Sequence, residues 1–234
     1  MKTYIVSGCS SGIGKSTCSI LLKNGFKVIG ISKKNLNPFP ENKNFSNIHI
    51  DLTKVKDIEK PIQSILSLNK STLNGYIACA GKGLFGNIEQ LATQDILNTI
   101  SLNLLSHVVI CKLLIPYLKK SKSGKIIFIG SEAALQGAQK GSIYCASKFA
   151  LRGFAQSIKE ECRKSNITVS IINPGAVKTP FFDNLDFTHG ENPSNFIDAQ
   201  EIANTIFHII SSKHFCIYEE INLSPIKKVI NKKK

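Results

Sequence analysis

The sequence predicts an α/β fold, a single doubly wound parallel sheet of about seven strands with helices on both faces. Three observations predict it. Short β-branched and aromatic runs alternate with stretches of helical periodicity, and the runs are continuously apolar, as strands covered on both faces are. The first run, Thr3–Ser7, feeds directly into a glycine-rich turn and then a helix. The chain has 234 residues, enough for one such domain with a sizeable core. We take residues 1–226 as that domain and residues 227–234 as a basic C-terminal tail.

Taken in order, Thr3–Ser7 is a buried strand, followed by Gly8-Cys9-Ser10-Ser11-Gly12-Ile13-Gly14 and a helix over residues 15–24, where Cys18, Leu21 and Leu22 share one face and Gly25 stops it. Residues 27–32 are a second strand. Residues 36–45 hold two prolines and three asparagines and read as loop. A third strand over residues 48–52 carries Asp51 near its end, and Thr53 is placed to cap a helix over 54–68. Residues 75–79 form a fourth strand running into Ala80-Gly81. Helices are expected over 93–100 and 102–120, the second bent by Pro116. Residues 124–130 are a fifth strand ending at Ser131, followed by a small-residue loop to Gly141 and a helix to about residue 164. Residues 167–172 are a sixth strand stopped by Asn173-Pro174-Gly175. A long phenylalanine-rich loop over 181–196, a helix over 198–211 capped by Asp198 and a last strand over 216–223 complete the chain.

Composition narrows the classes. The formal net charge is +14, yet the lysines are spread along the chain, arginine is nearly absent, and the motifs that read nucleic-acid grooves are missing. No nucleic-acid partner is expected, and the lysines of the tail read as a solvated, frayed terminus. The seven cysteines form no Cys-x-x-Cys pair and the five histidines show no ligand spacing, so neither a disulfide framework nor a metal site is expected. No run approaches the roughly 18 continuous apolar residues of a membrane span, and the glycine turn follows Met1 too closely for a signal peptide. The expectation is a soluble, cytoplasmic protein with no membrane partner.

Two readings compete for the glycine turn. Gly14-Lys15-Ser16 imitates the end of a triphosphate-binding loop, but the first glycine of that loop would fall at Cys9, and Gly8 is one residue early. The better fit is a dinucleotide site, in which glycines permit a tight turn and close approach of a pyrophosphate to a helix N-terminus. The second strand ends in Ser32-Lys33-Lys34 with no acid before Glu41. An acid there would bind a free ribose 2′-hydroxyl, whereas a base accommodates a 2′-phosphate, which favours NADP(H) and leaves NAD(H) possible.

Tyr144 and Lys148 are four residues apart in a predicted helix and so lie on one face. A phenol beside an ammonium is a proton-transfer device, because the positive charge favours phenolate. Bringing a tyrosine from about 10 to about 7 needs on the order of 4 kcal/mol, more than one lysine supplies, so a cationic cofactor ring is expected to help. The predicted strands end at Gly8, Ser32, Asp51, Ala80, Ser131 and Pro174, and these ends share the sheet edge on which such folds bind ligands.

Together these residues resemble the short-chain dehydrogenase/reductase superfamily over nearly the whole chain, which implies a Rossmann-type fold. The motifs are the glycine turn from Gly8 to Gly14, Ala80-Gly81, Asn103, Ser131, Tyr144-Cys145-Ala146-Ser147-Lys148 and Pro174-Gly175. The resemblance implies an oxidoreductase that interconverts a carbonyl and an alcohol on a small molecule. Tyr144 would be the general acid or base, and Lys148 would bind the nicotinamide ribose and depress the Tyr144 pKa. Ser131 would hold the substrate oxygen, and Asn103 a water in a proton relay. Ser10, Ser11, Gly12, Ile13 and Gly14 would line the pyrophosphate, Ser10, Ser32 and Lys33 would meet the adenosine ribose or its 2′-phosphate, and Asp51 and Leu52 the adenine. Ala80, Gly81, Pro174, Gly175, Val177 and Thr179 would line the nicotinamide end, Thr179 at its carboxamide. The loop over 181–196 would be a lid, and a homodimer or homotetramer pairing through the helices of Asn103 and Tyr144 is expected. Ala78-Cys79 stands where the family commonly has Asn-Asn, so the bracing of the sheet there is in question. Two rivals stay open: an NADP-binding sensor or scaffold without turnover, and a nucleotide-triphosphate kinase.

Overall fold

The structure, a computed structural model, describes every residue except 36, 70–72, 122–123, 213–215 and 234. Leu36 of the expected loop and Lys234 of the tail therefore lie outside the described residues. In chain order the first half runs β1 (Thr3–Ser7), α1 (Gly12–Lys23), β2 (Lys27–Ser32), β3 (Phe45–His49), α2 (Glu59–Leu68), β4 (Leu73–Ala78), α3 (Thr93–Ile100) and α4 (Ser106–Ser121). The second half runs β5 (Gly124–Ile129), α5 (Ser142–Cys162), β6 (Ile167–Pro174), β7 (Val177–Lys178), β8 (Phe187–His189), β9 (Ile197–Asp198), α6 (Ala199–Ser211), β10 (Glu220–Leu223) and β11 (Ile230–Lys232).

Seven strands form one sheet in the order β10-β6-β5-β4-β1-β2-β3, each parallel to its neighbours. The order reverses between β1 and β4, and a crevice opens beyond the strand ends at such a switch point. The strands are buried on both faces because side chains alternate. Ile5, Tyr76, Ile126 and Phe128 pack with α2, α4 and α5, while Tyr4, Val6, Ile77 and Ile127 pack with α1 and α6. On α4, Ile110, Leu114 and Leu118 recur one turn apart and are fully buried, each contributing about 2 kcal/mol of transfer free energy. By length and composition the stretch Thr93–Ser121 could cross a membrane, but here its apolar side covers the sheet.

Several expected boundaries shift for physical reasons. The third strand begins at Phe45, whose ring fills the core opposite Val28, and ends before Asp51. Asp51 accepts from the N–H (3.1 Å) and the hydroxyl (2.7 Å) of Thr53, so Thr53 is spent in that turn and caps no helix. A 3₁₀ turn, Val55–Asp57, precedes α2. Pro116 lies inside α4 without ending it, and the irregularity falls earlier, in a π-helical turn over Ser101–Leu105 that contains Asn103. Asp198 does stand at the start of α6, without a side-chain capping bond. The last strand of the main sheet is Glu220–Leu223, shorter than expected. The basic tail, expected to fray, instead forms β11, antiparallel to β8, because its main chain finds partners in the loop that follows β7.

Candidate active site

The glycine turn is built for close approach. Gly8 has φ +70 and Gly12 φ +49, conformations that side-chain-bearing residues rarely adopt. A Cβ on Gly14 would lie 2.2 Å from the carbonyl oxygen of Gly8, so α1 is packed directly against the turn. Ser11, the N-cap residue of α1, makes no side-chain capping bond, and the first turn carries no acid, which leaves a helix N-terminus ready for negative charge. A Cβ on Gly12 would touch Thr179 at 3.0 Å, so Thr179 stands over the turn from across the crevice. This cradle fits a dinucleotide pyrophosphate. Ser10, half-buried in the turn, joins it.

The adenosine end is more closed than the sequence implied. Lys33 is 72% exposed at its side chain and pairs with Asp51 at 3.0 Å. Asp51 is held below the usual carboxylate range by the hydrogen bonds of Thr53 and Lys33, against the upward pull of burial. The Ser32 hydroxyl is buried and donates to the carbonyl of Lys34 (2.7 Å), and Leu52 is 4% exposed and part of the core, so both side chains are engaged within the fold at this end.

At the other end Tyr144, Lys148 and Ser131 converge. Tyr144 and Ser131 line the same wall of the crevice, and Ser131 Oγ accepts from the Ala133 N–H at 3.1 Å. Lys148 Nζ lies 5.9 Å from the Tyr144 ring centre and donates to the carbonyl of Ile129 at 2.9 Å. Burial pushes the Tyr144 phenol up to about 12, with the Ser131 hydroxyl opposing it, so the depression expected with a cationic ring beside it is not supplied by the protein alone. Burial also draws Lys148 down to about 8. The ammonium is aimed at a carbonyl rather than at the phenol oxygen, which is why it does not reverse the desolvation. Asn103 accepts from the Lys82 N–H (2.9 Å) and donates to the Lys82 carbonyl (2.9 Å) and to Ser147 Oγ (3.0 Å). Both amide hydrogens are thus committed, one to the segment after β4 and one to Ser147 on α5.

A polar network that sequence reasoning missed braces the same segment. The Ala80 N–H donates to Ser7 Oγ (3.2 Å), which lies 3.1 Å from the Tyr76 hydroxyl, and that hydroxyl is 2.7 Å from His107 Nδ1. His107 Nε2 is 3.0 Å from the Ala80 carbonyl. A carbonyl only accepts, so Nε2 carries the proton and Nδ1 accepts from Tyr76. Burial lowers the His107 pKa to about 4, keeping the ring neutral. Both polar groups of the Ala80 peptide unit are therefore held, which supplies the bracing that the absent Asn-Asn pair left in question. The legible signals were a tyrosine inside an apolar strand and a histidine one turn after Asn103.

The crevice continues into a cavity of about 1100 Å³. Ile13, Gly81, Ser131, Tyr144, Lys148, Pro174, Gly175, Val177 and Thr179 all line it. Gly8 and Ala80 stand against each other behind this lining, a Cβ on Gly8 falling 2.9 Å from Ala80 N. Around Tyr144 the wall is aromatic, with ring centres at 5.3 Å (Phe85) and 5.7 Å (Phe181), and Phe187 4.9 Å beyond Phe85. The segment expected as a lid supplies Phe181, Phe182 and Phe187 to this wall, while Phe85 and the tail residues that join it were not anticipated.

A sequence profile of the family described as short chain dehydrogenase matches residues 2–189. A 3-oxoacyl-acyl-carrier-protein reductase of Buchnera aphidicola is 32% identical over 227 residues, covering 91% of each chain. A 3-ketodihydrosphingosine reductase of Bacteroides thetaiotaomicron is 30% identical over 190 residues, 80% of this chain and 69% of that one. Among solved structures, 4-hydroxyisoleucine dehydrogenase complexed with NADH superposes with TM-score 0.84 at 25% identity, covering 96% and 98% of the two chains. ElxO with NADP bound superposes with TM-score 0.85 at 21% identity over 96% and 97%, a likeness of fold.

Proposed function

This chain belongs to the short chain dehydrogenase family, and on that premise we propose that it interconverts a carbonyl and an alcohol with NADP(H), using Tyr144 as general acid and base. The nicotinamide, when bound, gives or takes the hydride. The observation that carries the reading is the convergence of Ser131, Tyr144 and Lys148 on the cavity into which the glycine turn opens. Ser131 orients the substrate oxygen beside the phenol. Tyr144, protonated at neutral pH, donates its proton to that oxygen in reduction and recovers it in oxidation. Lys148, with a pKa near 8, keeps its charge at pH 7 and stabilises the phenolate that donation leaves. NADP(H) is favoured over NAD(H) by Lys33 and Lys34 in place of an acid after β2. The exposed apolar side chains Leu105 and Phe149, beside α4 and on α5, support a homodimer or homotetramer paired through these helices, checked by light scattering.

Tyr144→Phe tests the reading. The expected result is a loss of about 10³-fold in kcat, with NADPH binding within about twofold of the wild type. Retained turnover would defeat the assignment. Tight NADPH binding by the wild type with no oxidation across aldehydes, ketones and hydroxy acids would favour the sensor alternative.

A further inference from the structure

Residues 227–233 are held mainly by the 181–196 segment that the resemblance casts as a lid. The Lys227 N–H donates to the Ser194 carbonyl (2.9 Å) and the Gly190 N–H to the Val229 carbonyl (2.9 Å). Ile230, Asn231 and Lys232 pair with His189, Thr188 and Phe187. The Lys233 N–H donates to the Asp186 carbonyl (2.8 Å), and its ammonium to the carbonyls of Asp183 (3.0 Å) and Phe182. The tail is laced along the lid, yet it buries little apolar surface: Ile230 is 56% exposed. Such an element contributes little to the core, so its use is sought in what it faces. Lys228, Ile230 and Lys232 line the cavity, every second residue, as one face of a strand does.

The charges on that face are not balanced. Glu132 and Asp186 are the acids of the cavity lining, and Glu132 is engaged by Lys228 at 2.5 Å. Lys232 has no ion-pair partner among the described residues. Lys140 lines the same cavity and, among the described residues, also makes no ion pair, so besides the buried Lys148 the lining carries two unpaired ammonium groups and one unpaired carboxylate, Asp186. Deeper in, Phe85 and Phe181 flank Tyr144, and Phe187 packs against Phe85.

We propose that the C-terminal strand is the outer wall of the substrate pocket and selects a carbonyl compound with an apolar, ring-sized body and an anionic group. The body lies between Phe85, Phe181, Phe187 and Ile230, and the anion meets Lys232. This rests on the oxidoreductase reading of the cavity and adds its substrate class.

The test is equilibrium binding of 4-phenylbutyrate and its neutral amide to the full chain at saturating NADP⁺. Lys232→Gln weakens 4-phenylbutyrate about fivefold, the measure of a half-exposed ion pair, and binds the amide as the wild type does. Truncation after Ile226 weakens both probes by about tenfold or more, the loss of an apolar wall, and leaves NADPH affinity unchanged. Equal binding of both probes by wild type, substituted and truncated proteins would overturn the proposal, as would a wild type that binds neither. If the probes behave as expected but no carbonyl acid is reduced, the wall stands and the oxidoreductase reading falls.

Discussion

At the cofactor end of the cavity, the groups that fix geometry are buried inside packed elements: Ser7 on β1, Tyr76 on β4 and His107 on α4, the last 1% exposed. At the other end, the corresponding work is done by main-chain bonds between a half-buried segment, residues 181–196, and the exposed C-terminal strand. Buried hydrogen bonds are costly to break, because an orphaned partner keeps its desolvation penalty, whereas exposed ones exchange with water at little loss. The contrast teaches where the molecule tolerates change. The half around the glycine turn is locked, and the half around the C-terminal strand is laced on from outside.

The largest expected effect breaks the locked half by acid. His107 has a folded pKa near 4 against 6.5 for a free histidine, so it is neutral in the folded state and charges more readily when unfolded. Its contribution is fully present above pH 6.5 and is lost as pH falls toward 4, on the order of 3 kcal/mol in all. Urea midpoints at pH 7, 5.5 and 4.5 should fall along that course, and His107→Phe should flatten it. A smaller effect follows from Gly14→Ala, which drives a methyl into the Gly8 carbonyl. It should cost about 2 kcal/mol of stability and weaken NADPH binding, both read from thermal melts with and without cofactor.

Smaller again is Lys33→Asp, at the exposed rim of the locked half. It should move the NADPH:NADH preference about tenfold toward NADH, and an unchanged ratio would remove Lys33 from that role. Smallest is Lys233→Ala, which frees the lid carbonyls of Phe182 and Asp183. Hydrogen exchange over residues 182–190 should rise while the melting temperature stays within about 1 °C, since surface substitutions shift stability little. A large drop in melting temperature would show that the two halves are not held as differently as described.

The same contrast decides what was legible in the sequence. The parallel sheet and the strand ends that share its edge could be read because apolar runs and glycine turns have local signatures, Tyr144 and Lys148 from their helical spacing, and Ser131 from the family resemblance. Third-strand register could not, because Phe45 sits in a loop-like stretch and its burial opposite Val28 is a tertiary fact. Ser32 and Leu52 were read at the strand ends, but position along a strand does not say how a side chain is engaged, here in a bond to the Lys34 carbonyl and in the core. What spacing could not show is that burial pushes the Tyr144 phenol up while the Lys148 ammonium four residues on is aimed at the Ile129 carbonyl. The tail misled most: a lysine-rich terminus has no apolar pattern, and only the free edge of β8 gave it a partner.

That pairing has a practical corollary for anyone purifying the protein. An affinity tag fused behind Lys233 would hang from a strand whose alternate side chains form part of the cavity wall, and would tug on the carbonyls of Phe182 and Asp183. Met1 is exposed and precedes β1 at the edge of the sheet opposite the glycine turn, so the amino end is where a handle disturbs least.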